Sequence, residues 1–153
     1  NIYFNCKSVL EFWFGNDLEF LKNYFYEHNI DVWFHLKWET DELIKTNFMS
    51  LLTDAENGKL DDWKNSTKSA LALIIIFDQF SRNIYRGTAD MFKNDEKAVE
   101  LSLALIDSSN QNKYDFHNLS LVEKFFTYLP LLHSEDLKNA KKGLSLIREL
   151  CKQ

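Results

Sequence analysis

The sequence predicts an all-α fold, an antiparallel helical array around a buried central helix, on three observations. The first is punctuation. The 153 residues include one proline and four glycines, too little material for the many tight turns of a β-sandwich or barrel. The second is periodicity: apolar residues recur at three- and four-residue spacing along most of the chain, as amphipathic helices require. The third is the stretch from Thr67 to Gly87. Ala70 to Phe77 is apolar without a break, which fits either a buried strand or a buried helix, and Ile74, Ile75 and Ile76 alone lean toward strand. The residues that follow decide it. Asp78, Gln79, Arg82, Asn83 and Arg86 fall within an arc of about 140° when wound at about 100° per residue, and Phe77, Phe80 and Ile84 take the opposite side. The stretch therefore predicts a central helix over about Thr67 to Arg86, enclosed at its start and polar toward its end, with Thr67 as its start and Gly87 as its C-cap.

The other elements follow in order. Ser8-Val9-Leu10-Glu11 reads as a capping box opening a short helix that ends near Gly15 and carries Phe12, Trp13 and Phe14. Asn16 or Asp17 can cap a second helix over Leu18 to His28. Trp33, Phe34 and Trp38 lie in a stretch without a clear period. Thr40 can cap a long helix to Asn57, closed by Gly58, with Leu43, Ile44, Phe48, Leu51, Leu52 and Ala55 on its apolar side. Leu60 and Trp63 anchor the connection to the central helix. After Gly87, Thr88 can cap one turn through Phe92, and Asn94 or Asp95 a helix to Ile106 with Ala98, Leu101 and Leu105 inward. Ser108 to Asn118 is polar and reads as a loop. Ser120-Leu121-Val122-Glu123 is a second capping box, so Leu121 to Leu129 reads as a helix that Pro130 ends or kinks. A last helix runs from about Glu135 to Cys151 with Leu137, Leu144, Ile147 and Leu150 as its stripe. No repeat of about 34 residues stands out.

Composition narrows the function classes. A chain that is 45 % hydrophobic and 15 % aromatic has material for one domain with one core, spanning 1–153. No apolar stretch approaches the roughly 20 residues of a membrane span, and a net charge of −5 without a basic run argues against nucleic acid. The expectation is a soluble protein without membrane or nucleic-acid partners. Cys6 and Cys151 could pair but are expected as reduced, buried thiols, which favours a reducing, cytoplasmic compartment. Asn65-Ser66-Thr67 and Asn118-Leu119-Ser120 match the glycosylation pattern, yet their hydroxyl residues serve better as helix caps. The chain begins with Asn and shows no signal or transit pattern.

Two constellations could carry chemistry. Lysine outnumbers arginine fifteen to three, and two of the three arginines are Arg82 and Arg86. A guanidinium offers a planar fork that lysine cannot imitate, so Asp78, Gln79, Arg82, Asn83 and Arg86 read as a pocket floor for an anionic group. The plain alternative is an Asp78–Arg82 pair within the helix and amides bonded to neighbouring backbone. The second constellation is His133-Ser134-Glu135-Asp136, where helical structure breaks. Ser134 or Asp136 as cap and Glu135 on the helix dipole explain three of the four, leaving His133 as the informative residue. No paired-histidine spacing points to a metal, and no metal or cofactor is expected. A Ser134–His133 nucleophile lacks an elbow motif, and no glycine-rich phosphate loop or dinucleotide fingerprint is present.

Several segments carry a family resemblance: Val9 to Gly15 (VLEFWFG), Asp41 with Ile44 and Phe48, Leu60 with Trp63, Ala70 to Ala89 (ALALIIIFDQFSRNIYRGTA), and Phe126 to Asp136 (FTYLPLLHSED). In this order they resemble the mostly bacterial domain-of-unknown-function family nine-two-four, placed among tetratricopeptide-like helical folds. The resemblance covers nearly the whole chain. It implies a tetratricopeptide-like array and no established activity. Matched residue by residue, the family's recurring polar positions fall on Asp41, Asp78, Gln79, Arg82, Asn83, Arg86, His133, Ser134, Glu135 and Asp136. Ser81 stands where the family usually has proline, Leu18 to Ile30 looks longer than the usual link, and the family's C-terminal segment has no counterpart before Gln153.

The expected function is a non-catalytic binding domain for an anionic small molecule or an acidic peptide, using Asp78, Gln79, Arg82, Asn83, Arg86, His133, Ser134 and Glu135, with Asp41 and Asp136 as further candidates. Two alternatives stay open. One is an enzyme on a phosphate- or carboxylate-bearing substrate, with His133 as general acid or base. The other is a helical subunit of a larger assembly that meets a protein partner through aromatic surface around Trp33 and Trp38.

Overall fold

The computed structural model describes residues 5–15, 32–34 and 37–153. All regular elements among them are helical. The α-helices are α1 (Cys6–Phe14), α2 (Trp38–Glu56), α3 (Thr67–Ile74), α4 (Ser81–Ile84), α5 (Asp95–Ile106), α6 (Leu121–His133) and α7 (Leu137–Leu150). Residues 32–34 are also helical, and the helix expected over Leu18 to His28 lies outside the described residues.

The central helix is present, with an interruption that its sequence hid. Between α3 and α4, residues Ile75–Phe80 wind as a π-helical turn, and the Ser81 N–H bonds to the carbonyl of Ile76 rather than to that of Phe77. Single π turns inside α-helices are rare and gather at functional sites. The rod starts at Thr67 as expected, with Ser66 rather than Thr67 as its cap: Ser66 accepts from the Ser69 N–H, while the Thr67 hydroxyl accepts from the N–H of Asp115. It ends at Ile84, with Gly87 at φ +78° just beyond.

Helices α1, α2, α5 and α6 all pack on this rod, which is why Ala70 to Phe77 can be apolar all round. Phe80 meets Phe48 of α2 at 4.7 Å between ring centroids and Trp13 of α1 at 5.8 Å. Trp33 lies 4.9 Å from Phe126 of α6 and donates its indole N–H to the main-chain oxygen of Trp13. Each such side chain removed from water contributes about 1.5–3 kcal/mol. Trp38, by contrast, is exposed.

Several boundaries differ from expectation, each for a local reason. The first capping box is Asn5 with Ser8, not Ser8 with Glu11, so α1 begins at Cys6. Helix α2 starts at Trp38 behind Lys37 and ends at Glu56. The Ser120–Glu123 box is as expected. Pro130 does not end α6, which continues to His133 because Leu129 and Leu131 are buried on either side of it. The polar stretch after Ile106 holds two short 3-10 turns, Ser108–Asn110 and Phe116–Asn118. In α7, Leu137 and Leu144 face solvent, and the buried side is instead built on Gly143, the half-buried Ile147, and Leu150. The contact with α6 sets that choice, because glycine allows the backbones to approach there. Cys6 is half-buried and Cys151 exposed, both as free thiols, so burial holds for neither in full. No described helix is long and apolar enough to cross a membrane.

Candidate functional site

The π turn carries Asp78 into the core, where 1 % of its surface is exposed. A buried carboxylate needs partners to offset the loss of water, and this one has three. Its Oδ2 accepts from Nε2 of Gln79 at 2.7 Å, and its Oδ1 accepts from Nη1 of Arg82 at 3.0 Å and from Nδ1 of His133 at 2.9 Å. A carboxylate only accepts, so Nδ1 holds the proton, and in the neutral imidazole Nε2 is left as the acceptor. Asp78 therefore fixes both the tautomer and the direction of the ring.

Arg82 bridges onward. Nη1 also donates to the main-chain carbonyl of Asp78 at 2.5 Å, Nη2 donates to Oδ2 of Asp95 at 3.0 Å, and the guanidinium lies 5.5 Å from the centre of the Phe92 ring. Burial pushes the Asp95 carboxyl above its ordinary value near 3.8; the Arg82 charge pulls it back and the Asp78 charge raises it again. The other Asp95 oxygen, Oδ1, is buried without a hydrogen-bond partner among the described residues, which accords with a carboxyl whose charged form is disfavoured.

The remaining polar residues of the central helix turn elsewhere. Asp41 of α2 accepts from Nδ2 of Asn83 at 2.7 Å and from Arg86 through two bonds, Nε at 2.6 Å and Nη2 at 3.2 Å. These three close a clamp between α2 and the end of the rod. At the α6–α7 corner, the Ser134 hydroxyl accepts from the Asp136 N–H and Asp136 caps α7 through the Lys138 N–H. Glu135 is exposed.

A cleft of about 610 Å³ opens beside the first network. Asp95, Glu96 and Glu100 of α5 line it, as do Phe92 from the turn before α5 and the corner residues His133 to Asp136. Thus the structure unites Asp78, Gln79, Arg82 and His133 in one network, puts His133, Ser134, Glu135 and Asp136 on one cleft, and sets Asp41, Asn83 and Arg86 apart from both. Sequence reading missed Asp95 and Phe92 as members of the site. The available signal for Asp95 was its place in the first turn of α5, where a cap explained it sufficiently. It also missed Asn94, whose amide joins Ser81 of the rod at 3.1 Å to Glu56 of α2 at 2.8 Å. Among the described residues no group of three or more His, Cys, Asp or Glu is arranged to hold a metal ion.

Comparison with known proteins fits this architecture. The family described as bacterial protein of unknown function (DUF924) matches residues 9–153. The chain belongs to this family. It is also similar to a solved protein of unknown function, ATU0120 from Agrobacterium tumefaciens, at 26 % identity and a TM-score of 0.76, over 95 % of this chain and 73 % of that one. No curated protein matches the chain. The family description names no activity.

Proposed function

We propose that this family domain is a non-catalytic binding domain whose ligand enters the cleft at the α6–α7 corner and bonds to His133. One observation carries the reading: the imidazole is held from behind by a buried carboxylate at 2.9 Å, while its side chain remains 31 % exposed on the cleft. A histidine needed only for packing has no use for a free, oriented ring nitrogen, whereas a recognition site needs one polar group fixed in direction. Ser134 and Glu135 stand beside it as secondary contacts. Arg82 and Arg86, which the sequence offered to an anion, are already held on Asp78 with Asp95 and on Asp41. An anionic ligand would reach a guanidinium only by displacing one of these carboxylates, so Arg82 acts here by positioning Asp78 and Asp95.

The test is to follow the His133 ring nitrogens by NMR, assigned against His133→Asn, while metabolite pools are titrated in. A ligand at 100 times its dissociation constant adds about 2.7 kcal/mol of stability, so a melting scan on the same pools gives a second readout. Movement of the His133 signals together with a melting shift that vanishes in His133→Asn supports the reading. A ligand that stabilises wild type and His133→Asn equally would sink it.

The Asp78–His133 pair also favours a second reading, an enzyme in which His133 activates a water as general base. The Ser134 hydroxyl is turned to the Asp136 N–H, so this reading has no serine nucleophile. Turnover of a phosphate or carboxylate ester that is lost in both Asp78→Asn and His133→Asn would establish it over simple binding.

A further inference from the structure

We propose that the outer side of α7 is a docking face for a separate protein that presents an acidic amphipathic helix. None of the residues that carry this face lines the cleft at His133, so it stands or falls independently of that site.

Spacing gives the shape of the partner. A surface helix ordinarily has one apolar side; α7 has two. Gly143, Leu146 and Leu150 turn toward α6, its main neighbour. About a third of a turn round the helix run Leu137, Ala140, Leu144, Ile147 and Cys151, alternately three and four residues apart through two heptads. On this second side Leu137 is 65 % exposed, Leu144 is 40 % exposed and Cys151 is exposed, while Ala140 and Ile147 are half-buried. At 1.5 Å per residue the seam is about 21 Å long. A second helix fills such a seam by setting its own apolar residues into the gaps, whereas a strand, with its period of two, would not keep step with it.

Charge gives the sign of the partner. In a chain of net charge −5, the stretch from Leu137 to Lys152 holds five basic residues and one acidic residue. Lys141 and Arg148 stand directly beside the seam, each four residues after one of its leucines. Both are exposed, and neither forms a salt bridge among the described residues. A helix with glutamate or aspartate beside its apolar stripe would pair with them. A second copy of α7 would instead bring Lys141 and Arg148 against their own counterparts, and like charges beside a seam select against that pairing. A membrane surface suits the face less well, because helices that lie in an interface carry aromatic anchors and α7 has no aromatic residue.

The test uses a labelled synthetic peptide of three heptads with leucine at the seam positions and glutamate beside them, titrated with the protein and followed by fluorescence anisotropy. Saturable binding is expected, with binding to the same peptide carrying lysine in place of glutamate at least tenfold weaker. Leu137→Ser with Leu144→Ser should weaken binding tenfold or more, since both leucines would leave water in the complex. Lys141→Glu with Arg148→Glu should do the same by setting like charges beside the seam. Lys45→Glu with Lys113→Glu, an equal change of charge on exposed residues elsewhere, should not. A melting scan of each variant confirms that these surface changes leave the fold intact. Failure of the glutamate peptide to bind, equal binding of the two peptides, or equal losses in the two charge variants would overturn the proposal. So would sedimentation of the protein as a dimer that Leu137→Ser with Leu144→Ser dissociates, which would give the face to a second copy. Binding to vesicles of phosphatidylcholine and phosphatidylserine without binding to the peptide would give it to a membrane surface and overturn the proposal equally.

Discussion

Gly143→Ala tests whether the α6–α7 contact sets the position of the site. A Cβ at residue 143 would lie 2.8 Å from the main-chain nitrogen of Leu132, 2.9 Å from Cβ of Leu131 and 3.1 Å from its carbonyl carbon. Ordinary contact begins near 3.4 Å, so the closest approach is short by 3.4 − 2.8 = 0.6 Å. None of the three atoms is the end of a flexible side chain; relief requires the helices to move apart. Two effects oppose each other. Alanine is favoured over glycine within a helix by about 1 kcal/mol, and overpacking a tight contact costs about 1–3 kcal/mol. With backbone on the receiving side the upper half of that range applies, leaving a net loss of about 1–2 kcal/mol. For a domain of this size the melting temperature should drop by roughly 2–8 °C. Residues 131 and 132 lead directly into His133, so the variant should also disturb the imidazole that Asp78 holds. The assay is differential scanning calorimetry paired with the His133 NMR signals. A variant as stable as wild type, with unmoved His133 signals, would refute the claim that close approach at Gly143 fixes the corner.

Three further outcomes follow from the charge networks. Asp78→Ala removes the shared partner of Gln79, Arg82 and His133 and leaves Asp95 as the one carboxylate on Arg82 among the described residues; a loss of about 3–5 kcal/mol in urea unfolding is expected, as for breaking a buried pair. Asp95 has a raised folded-state pKa, so its contribution is fully present below the unfolded value of about 3.8 and is lost as pH rises through the folded value. The stability of wild type relative to Asp95→Asn should therefore fall as pH is raised from below the unfolded value of about 3.8 through the higher folded value, and a relative rise would contradict the assignment. Arg86→Lys replaces a two-bond clamp on Asp41 by a point charge; it should cost about 1 kcal/mol in a melt and leave any ligand affinity at His133 unchanged.

The sequence was most legible where a single helix decides the outcome. The apolar run Ala70 to Phe77 predicted an enclosed helix, and four neighbouring helices do enclose it. The Ser120–Glu123 box predicted a start that holds in the structure. Legibility failed where two elements decide together. Leu137 and Leu144 fit a helical stripe, but the side of α7 that packs is the one where Gly143 allows close approach, and that depends on the backbone of α6. Pro130 is an ordinary stop signal, overridden by burial of Leu129 and Leu131. The π turn has no local signature, since Ile-Ile-Phe-Asp-Gln-Phe reads as ordinary helix. The polar arc of about 140° was legible as an arc; its division between two neighbours was not. Asp78 and Arg82 lie at one edge and Asn83 and Arg86 at the other, and an arc so wide can face α5 with α6 on one side and α2 on the other.

That division separates architecture from function more sharply than composition could. Both clusters pair arginine with buried or half-buried carboxylate, and buried ion pairs are by themselves weak evidence of anything beyond packing. They differ in how they end. In the clamp, the Asn83 amide and the Arg86 guanidinium both terminate on Asp41, and none of these three residues lines the cleft beside His133. The Asp78 network runs from Asp95, whose Oδ1 has no partner among the described residues, through Arg82 to Asp78 and on to an imidazole, whose side chain reaches the cleft. A scaffold has no need to carry a chain of charge-assisted bonds to a surface and stop there. The widened turn that brings Asp78 into this chain also sets the Ser81 N–H one residue off the regular ladder, a cost in helix geometry that the clamp at Asp41 does not require. The π turn and this unfinished network meet at Asp78, and that coincidence supports the proposal that His133, rather than the arginines, would meet a ligand.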